Sequence, residues 1–134
     1  MKGLYGFRLT DRVNANKMPI WRDAQRLLVL TEEAVRSFPR YHKYTLGSDL
    51  RRQAMQVCRL VNRAWRDPQG RSRHVAQLVV AVDEFKRLLQ LGKEVRAFAG
   101  FGQFQQLTEL TVGLGKQSGG WRRRLAARPE APSR

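Results

Sequence analysis

Acidic residues are scarce in this chain. Eleven Asp and Glu stand against 26 Lys and Arg, so the 134 residues carry a net +15. Such an excess on a single-domain length implies an anionic partner: nucleic acid, an acidic protein or an anionic membrane. Cysteine is nearly absent as well. Cys58 stands alone, which excludes an internal disulfide and leads to the expectation of a reducing cytoplasm. Apolar runs are short. None approaches the roughly 18 to 20 residues that a membrane span needs, and the opening MKGLYGFRLTDRVN has no signal-peptide core. No useful length of the chain shows β-type alternation.

What the sequence does have is helical period. With 42% hydrophobic residues, one modest core is available. Pro19 suits the first turn of a helix, where its missing N–H costs nothing. Ile20, Ala24, Leu27, Leu28, Thr31, Ala34, Val35 and Phe38 then recur at spacings of three and four. Pro39 disfavours helical geometry at Phe38, which ends this helix near Ser37. Thr45 and Ser48 are candidate caps for a second helix, with Asp49 well placed in its first turn. Its apolar stripe is Leu46, Leu50, Ala54, Val57, Val61 and Ala64, closed by the turn signal Asp67-Pro68-Gln69-Gly70. A third stripe follows on Val75, Leu78, Val82, Phe85, Leu89 and Val95, with Gly92 on it to admit a neighbouring backbone. The fourth is Phe104, Leu107, Leu110 or Thr111, Leu114, Ser118 and Trp121, weakened by Gly113, Gly115, Gly119 and Gly120. These patterns predict helices over 19–37, 45–67, 72–98 and 102–124. The expected fold is all-α, an up-down-up-down four-helix bundle over residues 18–125. A basic arm (1–17) precedes it and a tail (126–134) follows.

The charge is unevenly spread. Residues 40–73 hold nine Lys and Arg against two Asp, whereas residues 18–39 are balanced. At about 100° per residue, Arg52, Arg59, Arg63 and Arg66 fall within roughly a 60° arc opposite the second apolar stripe. An ordinary solvated face would interleave acidic residues four positions away, and ahead of the closing Asp67 turn this face has none. Arginine's planar fork suits phosphate. The candidate nucleic-acid-binding residues are therefore Arg40, Lys43, Arg52, Arg59, Arg63 and Arg66, with Arg122, Arg123 and Arg124 near the chain's end. The stretch FPRYHKYTLGSDLRR (38–52) reads as the turn that delivers the arginine face. Tyr41 and Tyr44 in it are able either to stack on bases or to pack over the helix ends.

Catalytic and metal motifs fail on spacing. GLGKQS at 113–118 lacks a phosphate loop's first glycine, because Leu110 stands there, and Gln117 replaces the required Ser or Thr. His42, His74 and Cys58 have no metal-ligand spacing. Glu32 and Glu33 are adjacent and point apart. Cys58 lies at the edge of the apolar side, a core residue rather than a nucleophile, while Trp21 and Trp65 border apolar stripes as core or interface. No enzyme activity, metal or cofactor is expected.

SFPRYHKYTLGSDL, the helix segment RLVNRAW, the third-helix segment VDEFKRLLQLGKEVR and GLGKQSGGW occur in this order. Together they resemble the Avd-like family, the accessory variability determinants of diversity-generating retroelements, over about residues 19–125. That family is related to the four-helix bundles encoded within bacterial 23S ribosomal RNA genes, and LGSDLRRQA looks like their second-helix start. The resemblance implies a non-catalytic, basic homopentamer. It also implies a reverse transcriptase and template RNA as partners, in support of mutagenic cDNA synthesis, and the arginine face suits the phosphates of DNA equally. Two other readings stay open: an rRNA-associated bundle without a reverse transcriptase, and a membrane-surface or acidic-protein adaptor.

Overall fold

The computed structural model describes residues 19–128. The arm at 1–17 and the tail from residue 129 onward lie outside them. Four long helices form the described chain: α1 (Pro19–Arg36), α2 (Leu46–Arg66), α3 (Arg71–Glu94) and α4 (Phe101–Ala127). A single helical turn, Arg40–Lys43, links α1 to α2, and no strand occurs among the described residues. Helices α1 and α3 each pack on both α2 and α4, which places α2 and α4 across the bundle's diagonal. The start of α1 and the ends of α2 and α4 gather at one end, where Pro19, Trp65 and Trp121 line a common cavity. Neighbouring helices therefore run antiparallel. This is the expected all-α four-helix bundle.

The predicted stripes meet at the bundle's centre. Leu27, Leu50, Val57, Leu60, Val61, Leu78, Phe85, Leu89, Leu107 and Leu114 are almost completely buried, and their removal from water is the main favourable term in folding. Thr31 and Thr111 are buried without loss because each hydroxyl donates to the carbonyl four residues back, at 2.6 Å in both cases. The far end of the bundle is closed by rings: Phe98 lies edge-on to Phe38 at 5.1 Å and to Phe104 at 5.6 Å.

Several boundaries differ from expectation, each for a local reason. Thr45 is the residue before α2, but its hydroxyl turns back to the Tyr41 and His42 carbonyls instead of capping α2. Helix α3 stops at Glu94, short of the expected 98. Arg96 adopts φ 58°, Arg96 N–H donates to Lys93 O and Ala97 N–H to Gly92 O. That is the Schellman pattern, with arginine where glycine usually sits. The turn throws Val95 outward, 43% exposed, instead of onto the core stripe, and Phe98 takes its place. It is also the Phe98 ring, not a neighbouring backbone, that fits against Gly92: a Cβ there would lie 2.6 Å from Cε2. Helix α4 runs past its expected end at 124 to Ala127, so the bundle extends into the predicted tail. Arg128 turns extended ahead of Pro129.

Candidate nucleic-acid interface

Helix α2 carries the predicted face. Leu50, Ala54, Val57, Cys58, Leu60, Val61 and Ala64 point into the bundle, which leaves Arg52, Arg59, Arg63 and Arg66 on the outer surface, all exposed. Fourteen residues at 1.5 Å each put Arg66 about 21 Å along the axis from Arg52. That is a span of several phosphates on one strand of a duplex, which are spaced about 3.4 Å apart along the axis.

The row is not uniformly free. Arg52 Nη2 donates to Asp49 Oδ1 at 2.6 Å, contrary to the expectation that no acid serves this face. Asp49 sits three residues back, not four, where the helix N-terminus already favours a carboxylate. Nearby, Arg51 pairs with Glu32 of α1 at 2.8 Å. Arg59, Arg63 and Arg66 have no carboxylate partner among the described residues. Arg63 and Arg66 lie in the last turn, where a cation gains about 0.3–1 kcal/mol from the helix dipole. Arg59 lies too far back for that gain, and Arg63, four residues on, repels it. Nothing in the fold asks for a charge at Arg59.

Arg40 and Lys43 flank the α2 entrance on the short helical turn. Beside them Tyr41 and Tyr44 are 84% and 69% exposed, so neither packs over a helix end. Gly47 fixes how closely the start of α2 approaches α1, since a Cβ there would come within 2.7 Å of Val35 Cγ1. Arg122, Arg123 and Arg124 are exposed on α4, across the diagonal from α2. Arg123 and Arg124 reach back along their own helix toward Gly119 and Gly120. The nine predicted residues thus fall on α2 with its entrance turn and on α4 across the bundle's diagonal, and the two helices approach each other at the end where Trp65 and Arg124 line a common cavity.

The structure adds a residue that the sequence did not single out. Arg71, the first of α3, donates through Nε to Ala64 O at 2.7 Å and through Nη2 to Trp65 O at 2.9 Å. It satisfies the orphan carbonyls of α2's last turn and lies 6.0 Å from the Trp65 ring centroid. A basic residue directly after the Asp67–Gly70 turn was the available signal. In that turn the Gly70 N–H and then His74 hold the Asp67 carboxyl below its usual range. Burial pushes the Cys58 thiol up to about 11. Among the described residues no three His, Cys, Asp or Glu side chains gather to hold a metal ion, and no helix is long and apolar enough to cross a membrane. No protein-family model matches the chain, and no curated protein matches it.

Proposed function

We propose that this protein is a non-catalytic, nucleic-acid-binding bundle that serves a diversity-generating retroelement. It holds template RNA, and DNA through the same phosphate contacts, for the element's reverse transcriptase. The observation that carries the binding part is the run of Arg59, Arg63 and Arg66 on the outer face of α2, without carboxylate partners among the described residues. Guanidinium groups at this spacing address phosphate and leave base edges unread, so affinity comes with little sequence preference. Exposed Tyr41 and Tyr44 beside Arg40 and Lys43 add π-faces at the entrance to α2. The retroelement part, with cytoplasmic residence and a homopentameric assembly, rests on the family resemblance of residues 19–125.

Genomic context and co-purification test it together. A reverse-transcriptase frame and a template repeat should lie beside the gene, and that enzyme should co-purify with this chain and the template RNA. If neither frame nor repeat is present and the chain instead co-sediments with ribosomal RNA, the rRNA-associated reading holds.

A further inference from the structure

The end of the bundle where α2 and α4 finish holds two open cavities that share one wall. The larger, about 410 Å³, lies between Trp65, Trp121 and Arg124, with Lys116 at its side. The smaller, about 170 Å³, uses the same three side chains with Arg71 and Arg128. Every charged residue lining the pair is a cation. Asp23, bonded to the lining residue Gln117, accepts from its amide at 2.7 Å. Trp65 is 40% exposed, although its position at the edge of an apolar stripe predicts a core or interface role. Trp121 is half-buried. Arg71 is pinned in place by the α2 carbonyls it caps, so its charge is presented without further ordering.

Planar π-surface walled by cations, Arg71 among them held in place, is complementary to a planar ring carrying phosphate. We propose that this cleft takes an unpaired base of the nucleic acid whose phosphates run along α2, an inference that rests on the reading of that face as phosphate-binding. Arg66 directly follows Trp65 in the chain, so the arginine row leads to this end of the bundle. A volume near 410 Å³ is within the usual range for small-molecule sites, about 300–1,000 Å³. An acidic peptide would use the cations and leave the indoles without a planar partner. The chain's own residues 1–17 are net basic, a charge that does not suit a cleft walled by cations.

Binding of a labelled single-stranded oligonucleotide and of a duplex of equal length, followed by fluorescence anisotropy, tests this. Trp65→Leu should weaken single-strand binding about tenfold, as loss of one stacked base does, and leave duplex binding unchanged. Arg124→Gln, at an exposed position, should act in the same direction, and circular dichroism verifies that each variant is folded. Arg59→Ala/Arg63→Ala should weaken both ligands. Unchanged single-strand affinity in Trp65→Leu and Arg124→Gln overturns the cleft and leaves the α2 face standing. If the double arginine variant binds as the parent does, it is the phosphate face that fails. A free nucleoside monophosphate should compete only weakly, because it lacks the phosphates that α2 holds. Competition as strong as the oligonucleotide's would make the cleft a free-nucleotide site and overturn the strand inference.

Discussion

Cys58 and Arg59 are neighbours in sequence with opposite physical situations. The Cys58 thiol faces inward and donates to Ala24 O at 3.2 Å, and burial holds it protonated up to about pH 11. In the unfolded chain the same thiol ionises near 9.0, so between these values the unfolded state releases its proton first. Stability should therefore fall as pH rises from about 9 toward 11, and a Cys58→Ser variant should lose that portion of the slope. At pH 8 the native thiol should react with a disulfide reagent only as fast as the protein opens. Urea should expose it at once; rapid native labelling would contradict the burial. Arg59 faces outward, and no carboxylate among the described residues pairs with it. Removing it together with Arg63 relieves a like-charged i,i+4 pair worth about 0.2–0.5 kcal/mol, against a comparable loss of dipole interaction at Arg63. Thermal unfolding of the double alanine variant should shift little in either direction.

At the scale of elements, apolar spacing was enough to place all four helices, because each must bury one stripe and no competing β period exists. Their ends were less legible. The termination of α3 depends on Arg96 entering the left-handed region, and no glycine marks the spot. L-residues other than glycine lose about 1–2 kcal/mol there. Arg96→Gly should accordingly raise the unfolding free energy by about 1 kcal/mol, measured by urea denaturation; a loss would mean the arginine makes compensating contacts. In α4 the glycines weaken the pattern without ending it, and the helix passes through all four because its apolar side is packed on α1 and α3. A Cβ added at Gly113 would meet no atom within 4 Å, so Gly113→Ala should stabilise by up to about 1 kcal/mol through helix propensity alone. The α2 arginine arc was readable from sequence, since it needs only one helix. The Trp65–Trp121 cleft was not, since it exists only once antiparallel packing brings the ends of α2 and α4 together.

For the whole molecule, charge governs behaviour. The proposed homopentamer would concentrate the like charge of chains carrying net +15 each, so self-association should strengthen with added salt or polyanion as screening shortens the Debye length. Light scattering that finds a monomer at micromolar concentration in moderate salt, with and without RNA, contradicts the proposed homopentamer. The central claim is that α2 presents its arginines to phosphates. It is tested most directly by the slope of log K against log salt for an RNA of arbitrary sequence, compared between the parent and the Arg59→Ala/Arg63→Ala variant. The account predicts a folded variant that binds RNA and DNA more weakly in similar proportion, its slope reduced by about one unit per lost phosphate contact. An unchanged affinity and slope would show that the α2 face is merely solvated.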